Sequence, residues 1–380
     1  MKDAIQLFRP HSRGRFLFRK NRFVIRVIHE EGFETDVHAP NPGKLLELYL
    51  PGTEVLLEKH SNPARKLPWS LAALRHGEAW VPMVSAAANS AAAELAVPAL
   101  FPHASGLRRE VKSGDHRLDL AFENGTDSWM AEVKSCSLVE AGAAMFPDAP
   151  SIRACEHLEL LMELQKSEGI RGLLLFVINH GSPEYVIPNY HNDPRFALTL
   201  IRAREEGVSI RSVITRSEDD GRTLLTGDPP AEPGLLLQGV KELVREDAGL
   251  ILDVEYLPEE KRWQAGVSIH PGELSRALNK APKRATGRTT GPGSATGRGA
   301  GRVRIPMRSR ASEILQTAQR LHELLDRWAG HASGHASGHA FGDAENRQFA
   351  FPGNPLHIPQ LNRSIFQLRH RISLEQLQGR

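Results

Sequence analysis

Two hydrophobic periods divide the first part of the chain. From residue 14 to about 85 apolar positions recur at every second residue. Phe16 and Phe18 alternate with Leu17 and Arg19, and Phe23, Ile25 and Val27 alternate with Val24, Arg26 and Ile28. This period, with its aromatic and β-branched bias, predicts short half-buried strands. Glu31-Gly32 supplies a turn, and Pro51-Gly52 precedes a further strand from Thr53 to Glu58. Short strands at this spacing predict a small all-β barrel or sandwich.

The period then changes. Ala86 to Ala99 is alanine-rich and helix-favouring, with Pro98 near its end. Three strands follow, Leu107 to Lys112, Arg117 to Phe122 and Ser128 to Lys134, and then an amphipathic helix from Ser151 to Ser167. Arg171 to Ile178 is a continuous apolar run, as expected of a strand buried on both faces. A helix from Asp193-Pro194 to Glu206, capped by Asp193 and stopped by Gly207, leads to a last strand, Val208 to Ile214. The order αβββαβαβ predicts an α/β domain with a central mixed sheet. Pro229-Pro230 and Pro233-Gly234 mark a boundary. Beyond it the pattern gives a helix from Leu235 to Arg245, a strand from Leu250 to Tyr256 and a helix from Ala311 to Trp328.

The chain's 380 residues, 40% of them apolar, suffice for more than one core. The two cysteines, Cys136 and Cys155, exclude a disulfide framework and fit a reducing compartment. No apolar run is long enough to span a membrane, and the N-terminus has no long apolar stretch, so a cytoplasmic protein without a membrane partner is expected.

The net charge of +3 hides an asymmetry. Residues 281–310 hold eight basic residues and no acid, so the rest of the chain is net −5 (3 minus 8). Ala281 to Gly301 contains no Ile, Leu, Val or Phe, and reads as a disordered basic linker, either a solvated tether or a strip for nucleic-acid phosphates. His331, His335 and His339 recur every four residues, but Gly334 and Gly338 argue for a low-complexity linker rather than a helical metal site.

The chemistry concentrates on two neighbouring strands. Asp119 lies on one, and Glu132 and Lys134 project from the same face of the next. Two carboxylates side by side repel, and a hard cation such as Mg²⁺ between them relieves this. Such an ion lowers the pKa of a bound water and offsets charge on a phosphate, while Lys134 can orient the water or stabilise the transition state. Asp followed by Glu-x-Lys is thus the skeleton of a PD-(D/E)XK nuclease site; the competing reading is a solvated charged sheet edge. Glu-x-Lys also occurs at Glu110-Val111-Lys112 and Glu259-Glu260-Lys261, but only Glu132-Val133-Lys134 has an Asp on the preceding strand and helices on both sides. Arg15, Arg19, Lys20 and Arg22 interleave with Phe16, Phe18 and Phe23, which suits either a nucleic-acid groove or a barrel core.

His38-Ala39-Pro40-Asn41-Pro42-Gly43 resembles the His-Cys-Pro-Asn-Thr-Gly motif of the sugar fermentation stimulation protein A family. Matches continue in order: Arg22-Phe23, Asn62 with Arg65-Lys66, Asn89 with Glu94, Glu110-Val111-Lys112, Arg117-Leu118-Asp119, Glu132-Val133-Lys134-Ser135, Phe146-Pro147-Asp148-Ala149, Arg153 with His157-Leu158, and His180. They cover roughly residues 8 to 218. Ala39 and Pro42 depart from the motif, as does Arg153-Ala154 where an Arg-Gly pair is usual; no proposed metal ligand is lost.

The resemblance implies an OB-fold-like β-barrel (residues 1–85) and a PD-(D/E)XK nuclease-like domain (86–222), followed by a partly disordered α+β C-terminal extension (223–380). It implies DNA binding, possibly RNA too. Asp119 and Glu132 become ligands of Mg²⁺ or Mn²⁺, Lys134 the catalytic lysine, and Glu94 an accessory acid that binds or orients metal. Arg15, Phe16, Arg19, Arg22, Phe23, Asn41, Arg65, Lys66 and Arg153 are the nucleic-acid candidates; Asp148, His157 and His180 are accessory. Asp148 is also placed to cap the helix after the site, and His157 to pack or to assist. Arg304 to Ser309 and Phe351 to His357 weakly resemble a GIY-YIG-type nuclease-like domain without its Gly-Ile-Tyr and Tyr-Ile-Gly signatures, so no site is expected there. No obligate protein partner is implied. The leading reading is a metal-dependent nuclease; a non-catalytic DNA-binding regulatory protein linked to sugar metabolism is the alternative.

Overall fold

Alternation of buried and exposed side chains sets the N-terminal strands, as the period of two demands. In a computed structural model, which describes residues 2–62, 65–84, 86–245, 249–257, 259–269, 303–310, 312–333 and 348–379, a short strand β1 (Ile5–Gln6) is followed by β2 (Ser12–Asn21), β3 (Val24–His29), β4 (Glu34–His38), β5 (Glu54–Lys59) and β6 (Trp69–His76). The hydrogen-bonded order β4-β3-β2-β5-β6 closes on itself where β4 meets β6 at His38 and Ser70. The result is a five-stranded barrel around Phe16, Ile25, Val27, Val37, Leu57 and Leu74. Closure removes the free edges that short strands would otherwise present.

Strand β7 (Ala79–Pro82) carries the barrel sheet into the second domain by pairing with a later strand at Trp80 and Ser217. A helix from Ala86 to Leu100, widened to a π-turn over Ala92–Ala96, covers one face of that domain's sheet. Next come β8 (Ala104–Ser113), β9 (His116–Asn124), β10 (Asp127–Cys136), β11 (Leu138–Glu140) and β12 (Ala143–Phe146). Helix Ile152–Glu168 follows, with the Ser151 hydroxyl accepting the Ala154 N–H at its start and Gly169 in the left-handed conformation at its end. Then come β13 (Arg171–Ile178), β14 (Tyr185–Pro188), helix Pro194–Glu205 capped by Asp193, β15 (Ser209–Ser217), β16 (Arg222–Leu225) and β17 (Gly234–Leu235). The central order β15-β13-β10-β9-β8 is parallel across β15, β13 and β10 and antiparallel across β10, β9 and β8: a mixed sheet, as expected. One core fills the space under helix Ile152–Glu168 and the other lies under the alanine-rich helix, so β13 is buried on both faces. A small second sheet, β11-β12-β14-β17, has no counterpart in the sequence reading, because all four of its strands have four or fewer residues. Strand β1 pairs with β16 rather than with the barrel.

The last segment folds as an antiparallel sheet under two helices. Its strands are β18 (Gly249–Leu257), β19 (Arg262–Ile269), β20 (Val303–Arg308) and β21 (Gln348–Phe351), in the order β20-β18-β19-β21. The helices are Ile314–Ser333 and Pro359–Gln378. Two expectations change here. Leu235 belongs to a strand, and the helix after it begins only at Val240. The basic segment expected as linker to residue 310 ends earlier. Val303 to Arg308 pair with β18, because Val303, Ile305 and Met307 give this stretch an apolar face that residues 281–301 lack. Residues 281–302 and the histidine repeat beyond Ser333 lie outside the described residues. Among the described residues no helix is long and apolar enough to cross a membrane.

Helix Pro359–Gln378 is the element that joins this segment to the rest. Its Asn362 donates to the Leu46 carbonyl (2.8 Å), Arg369 to Asn189 Oδ1 (2.6 Å), and Ser373 meets His191 at 2.6 Å. Burial, assisted by the charges of Arg369 and Arg308, keeps His191 neutral by pulling it far below its ordinary range. It can therefore accept the Arg308 N–H at Nδ1.

Candidate active site

The site forms where two paired strands part. The β9–β10 ladder ends at Leu120 opposite Ala131. One residue further, the Asp119 side chain takes the place of a backbone partner: its Oδ2 accepts the Val133 N–H (2.8 Å) and its Oδ1 accepts Asn89 Nδ2 (2.7 Å). Asn89 comes from the alanine-rich helix and is one of its polar links to the sheet. Glu132 is only 3% exposed and faces helix Ile152–Glu168. Its Oε1 accepts Lys134 Nζ at 2.5 Å and lies 2.6 Å from His157 Nδ1. Arg153 Nε donates to the other ring nitrogen of His157 (3.3 Å), one helical turn away. Among the described residues Glu132 Oε2 is buried with no hydrogen-bond partner.

Electrostatics separate the two acids. Burial, and next the Glu132 charge, push Asp119 above the ordinary carboxylate range. Burial works against ionisation of Glu132 as well, but the His157 contact and the Lys134 cation outweigh it and hold Glu132 below that range. An ionised acid, an acid unwilling to ionise beside it and an orphaned oxygen together form a site that a divalent cation would relieve. Among the described residues no three His, Cys, Asp or Glu side chains converge as a cation cage. The remaining ligand positions of a divalent ion held by Asp119 and Glu132 would fall to backbone, water or substrate.

The other predicted residues divide by surroundings. Glu94 sits in the π-turn and is held by Lys2 (2.6 Å) and Arg109 (2.9 Å), the Lys2 bond foremost in keeping it below the ordinary range. Phe16, 2% exposed, packs on Tyr49 in the barrel core and offers no face to a base; Phe23, 42% exposed with Arg22 stacked over it at 4.6 Å, does. Alternation alone does not distinguish the two rings. Arg19 turns inward: its guanidinium donates to the carbonyls of Asn41, Gly43, Lys44 and Arg22, and so fixes the 41–44 loop instead of greeting phosphate. Arg15, Lys66 and Arg153 are exposed, and Arg65 is engaged with His60. His180 is buried and donates to the Ser137 carbonyl (2.9 Å); burial, with His76 5.0 Å away, lowers its pKa to about 4.

Asp148 does not cap the following helix, which starts later and uses Ser151. It turns instead to the barrel loop, where burial raises its carboxyl despite the backbone N–H groups of Asp148, Leu45 and Lys44. Gly43 is what permits this approach, since a Cβ there would overlap Asp148 Oδ2 and press on Asn41 Oδ1 at 3.0 Å. Gly43→Ala is accordingly expected to cost about 1–3 kcal/mol of stability, read from denaturant midpoints; an unshifted midpoint would show that the loop simply moves aside. Asn89 is the functional residue that the sequence reading left without a role. Its signal was an amide at a half-buried position of an otherwise alanine-rich helix.

Comparison with known proteins follows the same division of the chain. The model of the SfsA N-terminal OB domain matches residues 17–83, and that of the sugar fermentation stimulation protein RE domain matches residues 84–221. A sugar fermentation stimulation protein homolog of Methanothermobacter thermautotrophicus is 35% identical over 201 residues, covering 52% of this chain and 83% of its own. One from Shewanella loihica is 37% identical over 209 residues, covering 53% and 88%. The solved structure of Pyrococcus furiosus SfsA in complex with Ca²⁺ matches with a TM-score of 0.54 and 26% identity, over 61% of this chain and 99% of that one.

Proposed function

This chain belongs to the sugar fermentation stimulation protein family, and we propose that it is a nucleic-acid-binding protein with a metal-dependent phosphodiesterase site at Asp119, Glu132 and Lys134. The observation that carries this reading is the orphaned, buried Glu132 Oε2 beside an Asp119 whose ionisation its charge opposes. Asp119 and Glu132 would hold the cation, Mg²⁺ or Mn²⁺, and the Ca²⁺ in the Pyrococcus relative supports a divalent preference. When bound, such an ion supplies Lewis-acid stabilisation of phosphate charge and a more acidic water. Lys134 places an ammonium next to Glu132 and stabilises negative charge developing on phosphate oxygens. His157, pinned by Arg153, fixes the Glu132 carboxylate. Asn89 and the Val133 N–H fix Asp119. DNA, with RNA as a further substrate, is the proposed target, and the OB barrel supports a strand-binding role. We assign domain limits of 1–85, 86–222 and 223–380. Glu94 is proposed as an accessory acid, freed if Lys2 and Arg109 turn to phosphate. No chemistry is assigned to the last segment.

The test is cleavage of labelled single- and double-stranded DNA and RNA by the full chain with Mg²⁺ or Mn²⁺. Product formation should stop on chelation and return when the ion is restored. If no substrate is cut under any of these conditions, the catalytic reading is wrong. The exposed Arg22–Phe23 pair on the barrel supports the second reading, a non-catalytic DNA-binding protein. That reading predicts salt-sensitive binding, unchanged by Glu132→Gln, with no cleavage.

A further inference from the structure

Beside the Asp119 site lies a second feature that the proposed chemistry leaves unused. A pocket of about 250 Å³ opens between the barrel and the α/β sheet. Asn89 and Val133, the two residues that hold Asp119, form one side of it. Asn41 and Leu45 of the barrel loop form the opposite side, and Ser135, Ser137, Phe146 and Asp148 close it. The lining mixes apolar side chains, Phe146 among them, with a few hydrogen-bonding groups, as sites for small ligands do.

Two of those groups are built into position. Asn41 Oδ1 is committed to the Gly43 N–H (2.9 Å), which leaves the pocket the amide's donor end. Among the described residues Asp148 Oδ2 is buried with no hydrogen-bond partner. Both walls are braced from behind: Arg19 ties down the Asn41 and Gly43 carbonyls, Asn192 donates to the Asp148 carbonyl (2.8 Å) and Asn189 to that of Pro147 (2.8 Å). The two segments that meet here, His38 to Gly43 and Phe146 to Ala149, contribute no group to the Asp119–Glu132–Lys134 cluster.

We propose that this pocket receives one unstacked nucleobase of a bound strand, placing the adjoining phosphate at Asp119 and Glu132. The inference rests on the nucleic-acid reading above and deepens it. The volume suits one base rather than a base pair. A base presents what the lining asks for, two flat faces and an edge of alternating donors and acceptors. Enzymes that act on a strand without reading its sequence gain binding from such single-base contacts.

The experiment is a walk of one abasic residue along a short single-stranded DNA, with binding to the full chain measured by anisotropy in Ca²⁺. A single position should weaken binding, by roughly tenfold or more on the scale of one lost base contact, while the others stay near the unmodified strand. Asn41→Ala should shrink the penalty at that position alone. Asn41→Asp, which keeps the acceptor for the Gly43 N–H and removes the donor, also adds a charge that weakens binding to every strand, but should shrink the penalty at that position alone if the alanine variant misfolds. An equal penalty at every position, or one that both variants leave intact, overturns the pocket while the nucleic-acid reading survives on the observed binding. Absence of any binding overturns both.

Discussion

Asp119→Ala is expected to lower divalent-dependent cleavage by about 10³-fold or more, the scale of several kcal/mol of lost transition-state stabilisation. The expectation follows from position. Asp119 stands with Glu132 at the parting of β9 and β10, and the Glu132 charge is, after burial, the larger influence raising it. A single carboxylate holds a hard cation poorly. The alanine also strands a buried Val133 N–H and the Asn89 amide, so a stability loss of about 1–3 kcal/mol accompanies it. Asp119→Asn separates the two effects. It keeps the shape and an acceptor for the Val133 N–H, and should unfold near the wild-type midpoint while losing cleavage. Rates of the purified variants on one labelled strand decide the matter: Asp119→Asn cutting at the wild-type rate removes this residue from the chemistry.

The second large effect concerns the segment beyond the residues that the two family models match. Arg369→Ala is expected to destabilise the fold by about 1.5–3 kcal/mol, the scale of a buried hydrogen bond from a charged donor. Arg369 is buried, and burial lowers its guanidinium to about 10. It donates to Asn189, which in turn holds Pro147 beside Asp148; on the same helix Asn362 holds Leu46 beside Leu45. The extension thus braces both walls of the pocket. Burying a cation has its own cost, so Arg369→Met, which keeps the bulk and removes the charge, should lose distinctly less. Denaturant midpoints of both variants measure the difference. Equal losses would mean that the Asn189 contact, not the bulk of the side chain, is what Arg369 supplies.

The elements themselves were legible along the chain wherever one face is buried. Phe16, Ile25 and Val27 alternate because the barrel has an inside, and Leu158, Leu161, Met162 and Leu164 follow the helical spacing because their helix roofs a sheet. Legibility fails for short strands: β11, β12, β14 and β17 are too brief to show a period, yet they form a sheet. It also fails where composition misleads. The arginines of Val303 to Arg308 read as linker, but Ile305 and Met307 find a core.

The sequence by itself determined the order of elements, the two-part division seen in the family match, and the three residue types able to serve a phosphate. These are local properties: period, capping residue and the side-to-side spacing of a strand. Only the tertiary structure decided which charges are free. It turned Phe16 and Arg19 inward, tied Glu94 to Lys2 and Arg109, set Asn89 against Asp119 and His157 against Glu132, and closed a pocket between segments a hundred residues apart. Burial and partnership depend on what packs from elsewhere in the chain. No window of neighbouring residues contains that information.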